Sequence, residues 1–494
     1  MTERRGGIAS GWPAERPTQE RSPAERAAPL VPTPAPRRVR PPGQRLYDMP
    51  YSAVEPRLVN PAFGLRNLVT RVGHNAAYEI DVTLLDAPDH RLIRSGVLLA
   101  HRVLDGRGEW YLTAPDWQPL LPKDRIETMG HADLPEELAD LIRPLRRRAA
   151  LGPVAALRCD RREFALRADH GATVALLRDD KVTVRRGGLT TARYREVMLT
   201  PVGPGLDDEQ TAWLDRALVG AGATEVTRFP RLVTRLGAPA TSPSDVGEPG
   251  PFEPDGSFRR FVGQLVGLRL RRMVEADLAV RGGDLRACER LVDQARLLQA
   301  ELAGVSLALA ASWPEEVADE LEWMLPGQPL TAAQLATRIR GERYLALLDR
   351  LVAAGRGPRA ADSTNGTAAQ VVARLVQTAL DRTQVAVDAS TVDPEDLAAW
   401  DEVRRAVGLV DAAAAVAVHV LPDRAAAVSR RLAKPRRLLA RAAAGHLAAT
   451  EVAGLTPEQA FAAGRVYEQA LEQTRQARTA FVRAWTKAGR KLTG

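Results

Sequence analysis

The hydrophobic period of this chain changes once, and that change fixes its class. From Tyr78 to about Leu236 apolar and polar residues alternate in short runs, the pattern of a strand with one face covered. They are Tyr78–Leu84, Gly96–Val103, Glu109–Thr113, Val154–Arg158, Phe164–Arg167, Val174–Leu177, Lys181–Val184 and Tyr194–Leu199. Turn residues such as Asp105-Gly106 and His170-Gly171 lie between them, as a meandering antiparallel sheet or barrel requires. Two helical stretches, Pro135–Arg148 and Asp207–Ala221, interrupt the runs. Gly237–Gly256 is rich in Pro, Ser and Gly and reads as a linker. Beyond it the spacing is helical to the end: 258–280, 284–311, 314–325, 331–354, 368–387, 394–420, 423–444 and 457–487.

Eleven prolines before Val59 predict an arm without helix or central strand over 1–60, with nine Arg against four Glu up to Arg45. The divisions expected are therefore arm 1–60, strand domain 61–236, linker 237–256 and helical domain 257–494, with halves 257–354 and 368–494. Aromatics make up only 5 % of the 494 residues, which favours long helices over an aromatic-rich sandwich. A formal charge of +8 favours an anionic partner: polyphosphate or another polyanion, with nucleic acid a weaker alternative. Two cysteines, Cys159 and Cys288, fall in different domains, so no disulfide framework or cysteine zinc site is expected. With no apolar run long enough to span a bilayer and no apolar leader segment, the expected compartment is the cytoplasm, without membrane partners. The oligomeric state is not legible.

The helical part contains one segment twice, 108 positions apart: Val292-Asp293-Gln294-Ala295-Arg296-Leu297-Leu298 and Trp400-Asp401-Glu402-Val403-Arg404-Arg405-Ala406. Each falls on the second helix of about four, as in a duplicated four-helix unit. Strands first and a duplicated bundle after resemble a CYTH domain, the triphosphate tunnel fold, followed by a CHAD domain, a helical bundle that binds polyphosphate. The resemblance implies an α+β multidomain chain: an antiparallel β-barrel of tunnel type, then an all-α bundle.

The run Glu79-Ile80-Asp81-Val82-Thr83 resembles the family's E-x-E-x-K strand, and Glu196-Val197-Met198-Leu199-Thr200 its last acidic strand, E-x-E-x-E. The resemblance therefore implies Glu79, Asp81 and Glu196 as what remains of a metal set, for Mg²⁺ or Mn²⁺ if the tunnel is active. It implies Arg102, Arg158 and Arg161 as what remains of the phosphate clamp. Arg178-Asp179-Asp180-Lys181 resembles the family's acidic turn. In the bundle, Asp293 and Asp401 stand where the family carries histidine, while Arg296, Arg404 and Arg405 keep its cations. With half the clamp and most of the carboxylates replaced, no catalytic residue is assigned. The expected role is a non-catalytic or weakly active phosphate-related binding or scaffold protein. A metal-dependent triphosphatase or other tunnel phosphohydrolase, and a nucleic-acid-associated basic protein, are the alternatives. The seven histidines are dispersed, and the densest basic run is Ser429–Arg441.

Overall fold

A computed structural model of the chain describes residues 42–72, 76–104, 106–128, 133–169, 171–309, 312–325, 330–358, 365–444 and 456–489. It contains two compact units. The first comprises 1–86, 96–134 and 152–241, the second 87–95, 135–151 and 242–494.

The first unit is an antiparallel sheet of ten strands: β1 (Arg45–Met49), β2 (Leu65–Thr70), β3 (Tyr78–Asp86), β4 (Leu98–Leu104), β5 (Arg107–Thr113), β6 (Asp124–Thr128), β7 (Gly152–Ala168), β8 (Thr173–Arg186), β9 (Leu189–Pro201) and β10 (Thr224–Val226). The order is β10-β1-β9-β8-β7-β3-β4-β5-β6, with β2 also on β7. Among the described residues the end strands β10 and β6 do not pair with each other. Two pairs of predicted runs are each one strand. Val154–Arg158 and Phe164–Arg167 belong to the 17-residue β7, and Val174–Leu177 and Lys181–Val184 to the 14-residue β8. The charged stretches within them, Asp160–Glu163 and Arg178–Asp180, continue the ladder in register, each residue opposite a partner on the neighbouring strand. Arg178–Asp180 is therefore mid-strand and not the turn that the resemblance implied.

The arm predicted over 1–60 needs correction at its end. Arg45–Met49 lies inside the sheet, between β9 and β10, with Tyr47 and Met49 buried. The proline-free window Gly43–Met49 suffices for a strand, and the prolines around it had masked that window. Residues 1–41 lie outside the described set.

One face of the sheet packs on α4 (Asp208–Gly220), the element expected at Asp207–Ala221. Asp207 caps it, accepting from Gln210 N–H at 2.7 Å while the Gln210 side chain returns to the Asp207 N–H. Tyr47, Leu166, Ala175, Leu177, Val197 and Leu199 meet Leu214 and Leu218 there. The short α5 (Leu232–Leu236) completes this unit.

The second unit is helical. It takes in α1 (Arg91–Arg94), α2 (Glu136–Leu141) and α3 (Arg143–Arg146), and the stretch expected at Pro135–Arg148 is thus two short helices. Then follow α6 (Phe258–Arg281), α7 (Ala287–Val305), α8 (Ser312–Met324), α9 (Ala332–Arg340), α10 (Glu342–Arg356), α11 (Ala368–Val392), α12 (Leu397–Ala417), α13 (Pro422–Ala444) and α14 (Pro457–Gly489). Gly341, in extended conformation, divides the helix expected over 331–354 into α9 and α10. The two repeat-bearing helices, α7 and α12, pack on each other. Gly304 permits that approach, because a Cβ there would collide with the Ala412 carbonyl. Among the described residues no helix is long and apolar enough to cross a membrane.

Candidate functional site

In an antiparallel ladder, residues directly opposite each other point to the same side, so register alone assigns every strand residue to a face. On the face away from α4, one row runs across five strands: Asp48, Glu196, Asp180, Arg161 and Tyr78. The next row is Tyr194, Val182, Cys159 and Ile80, and the one after it runs Val184, Leu157, Val82, Arg102 and Glu109. Arg102, Arg161, Asp180, Tyr194 and Glu196 of these rows are each at most 5 % exposed, while Asp48, Tyr78 and Glu109 are half-buried.

Charges in such a place persist only when paired. Arg161 grips Asp180 with both ends of its guanidinium, Nε at 2.6 Å and the second nitrogen at 2.7 Å. Its remaining nitrogen donates to the Tyr78 hydroxyl at 2.6 Å. Arg178 Nε adds a second cation to Asp180 at 3.1 Å. Arg102 pairs with Glu109 and lies over the Tyr111 ring, 4.3 Å from its centroid. Arg235, from α5, stacks on Tyr194 at 4.4 Å and reaches Asp48 at 3.1 Å. Burial pushes the Cys159 thiol up to about 12 and raises Tyr78 and Tyr194.

Glu196 differs from its neighbours. Its nearest cation, Arg235, stands 3.7 Å away, and its Oε1 has no hydrogen-bond partner. Burial raises its pKa to about 7, with Arg235 opposing that shift and the Asp180 carboxylate adding to it. A carboxyl that holds its proton to higher pH than usual therefore sits among fixed ion pairs.

The candidate site residues divide between the two faces. Glu79 and Asp81 alternate with the buried Ile80 and Val82, so they lie exposed on the other face, where Glu79 pairs with Arg158. Arg102, Arg161 and Glu196 share the buried face. The proposed metal set is thus not brought together: Glu79 and Asp81 cannot ligate an ion that Glu196 holds through the sheet. Among the described residues no group of three His, Cys, Asp or Glu side chains could hold a metal ion. The residues present do not fit the Mg²⁺ or Mn²⁺ that the resemblance allows.

In the helical unit Asp293 and Arg296 are exposed on α7. Arg404 pairs with Asp401 one turn before it, and Arg405 with Glu402 at 2.9 Å. Asp48, Glu109, Tyr111, Tyr194 and Arg235 join the site although none is among the site residues expected from the sequence. Glu109, Tyr111 and Tyr194, inside the expected runs, were within reach of the strand alternation; Asp48 lies in β1, inside the expected arm. Arg235 was not, because it arrives from a helix 39 residues after Glu196.

No protein-family model matches the sequence, nor does any curated protein. Among solved structures, PptA from Streptomyces chartreusis is similar at 21 % identity over 46 % of this chain and 98 % of that one, with a TM-score of 0.31. A Bacillus halodurans protein, bh2851, is similar at 13 % identity over 34 % of this chain and 93 % of its own, TM-score 0.20. PH1819 of Pyrococcus horikoshii OT3 is similar at 11 % identity over 38 % and 91 %, TM-score 0.20. At these TM-scores the likenesses carry no argument about chemistry, which rests on the residues above.

Proposed function

We propose that this chain is a tunnel-class protein of CYTH type joined to a CHAD-like helical region, and that it acts by binding or scaffolding instead of hydrolysing triphosphate. The observation that carries this reading is the pairing of the buried cations. Arg161 and Arg102, the two clamp arginines on the Glu196 face, already hold Asp180 and Glu109. A triphosphate would have to displace both carboxylates and leave Asp180 buried and Glu109 half-buried beside its own charge, and the buried member alone costs several kcal/mol. Metal-assisted attack on a phosphoryl group also needs carboxylates converging on one ion, and Glu79 and Asp81 lie across the sheet from Glu196.

The test is phosphate release from tripolyphosphate by the full chain in Mg²⁺ or Mn²⁺. Turnover should lie at least about a thousandfold below that of an intact tunnel enzyme, a loss of roughly 4 kcal/mol of transition-state stabilisation. Brisk metal-dependent release that disappears in Glu196→Gln would establish the hydrolase alternative.

A further inference from the structure

Four cations on α13, Arg430, Lys434, Arg437 and Arg441, follow one another at spacings of four, three and four residues. At 100° per residue they fall within about 60° of arc and form a row roughly 16 Å long. All four are exposed, while Leu432, Pro435, Leu439 and Ala442 on the opposite side of the helix are buried. The buried side fixes the helix and holds the row outward. Between Arg424 and the end of α13 there is no acidic residue. Arg436, off the row, is taken by Asp411. Among the described residues none of the four pairs with a carboxylate, and Arg437 only donates Nε to the Ala433 carbonyl at 3.3 Å. Some other exposed arginines of the helical unit are paired, such as Arg343 with Glu320 at 2.6 Å and Arg475 with Glu395 at 3.1 Å, whereas Arg259, Arg296 and Arg382 stand singly without an ion pair among the described residues. Like charges one turn apart weaken a helix, so this row costs stability and gains no ion pair among the described residues in return.

We infer that the α13 row is a docking site for the phosphate backbone of a nucleic-acid duplex, engaged without regard to base sequence. The choice of occupant follows from what the helix lacks. It carries no aromatic residue, so it offers no platform on which single-stranded bases could stack. It has no Asn, Gln, Asp or Glu beside the row to read base edges, which leaves backbone contacts. It exposes no large apolar side chain that would enter a lipid interface. A duplex presents one charge per about 1.7 Å of axis, so a rigid row of this length meets several phosphates at once. This surface belongs to the helical unit and is independent of the buried ion pairs of the sheet.

The test is anisotropy of a labelled mixed-sequence duplex of about 20 base pairs, titrated with the full chain over a range of KCl. Replacing all four residues by Gln should weaken binding at least tenfold and reduce the slope of log K against log salt by about 3 to 4, since four phosphate contacts are lost. The thermal midpoint should not fall, since the like charges that weaken the helix are removed. The milder Lys434→Gln/Arg437→Gln variant should lower the slope by about 2, and Arg430→Lys/Arg437→Lys/Arg441→Lys should keep it. An unchanged slope in the Gln variants would overturn the inference, as would binding that vanishes only when residues 1–41 are removed. So would row-dependent binding of long-chain polyphosphate, anionic vesicles or a single strand without binding of the duplex.

Discussion

A carboxyl group that loses its water and gains only one cation at 3.7 Å keeps its proton to higher pH, and Glu196 is in that position. Its pKa of about 7 lies above the ordinary 4.5, so the folded state holds the proton more tightly than the unfolded chain. Its contribution to stability is complete below the unfolded value and is lost as pH rises through about 7. A shift of that size corresponds to roughly 3 kcal/mol. Glu196→Gln keeps the shape of the neutral form at every pH. The variant should therefore match the wild type near pH 4 and exceed it by up to about 3 kcal/mol near pH 8, as read from urea midpoints. A wild-type-minus-variant difference that is flat between pH 4.5 and 8 would show that Glu196 is ionised throughout. The same residue scale explains why the proposed metal set dissolved. In Tyr78–Leu84 the apolar Ile80, Val82 and Leu84 mark the buried phase, and the acids occupy the other. That phase was legible in the alternation, whereas following the family's motif placed the acids inside.

At the scale of the element, β1 shows what proline density does and does not imply. Seven residues without proline, Gly43–Met49, are enough to close a gap between β9 and β10. Tyr47 and Met49 contribute about 1.5 to 3 kcal/mol each by burial. Beginning the chain at Pro61 instead of Pro42 should lower the denaturation midpoint by several degrees or abolish the sheet's transition. Equal midpoints for the two truncated chains would mean that β1 adds nothing to the folded unit. The long strands β7 and β8 were legible only in pieces, because the charged residues at their centres look like turn chemistry until the register pairs Arg161 with Asp180. The helices were better marked. Capping residues at Thr331 and Thr367 mark helix starts in the sequence itself, whereas the break at Gly341 falls inside the helix expected over 331–354.

At the scale of the molecule, the switch from period 2 to helical spacing announced a sheet followed by a helical region. The composition of the second unit was not legible, since it includes 87–95 and 135–151 from between the strands. These segments carry partners of the helices. The Arg281 side chain, fully buried beside Asp277, also pairs with Asp140 from α2. Asp245 binds Arg94 at 3.1 Å and Arg147 at 2.6 Å, and Arg147 reaches Asp349 at 2.7 Å. The isolated segment Asp255–Gly494 lacks Asp140, Arg147 and Asp245, and removing one side of a buried pair costs about 3 to 5 kcal/mol. It should unfold well below the helical transition of the full chain in calorimetry. An equal midpoint would mean that those pairs add no stability.

Arg161 and Arg102 are held by carboxylates of the chain itself, Asp180 and Glu109, and so are not free for phosphate. Calorimetric titration of the full chain with tripolyphosphate tests it most directly, comparing wild type with Asp180→Asn and Arg161→Gln. The account predicts no binding by the wild type that Arg161→Gln removes, and gained binding in Asp180→Asn, where Arg161 and Arg178 lose their carboxylate. Tight binding by the wild type that is abolished in Arg161→Gln would contradict it.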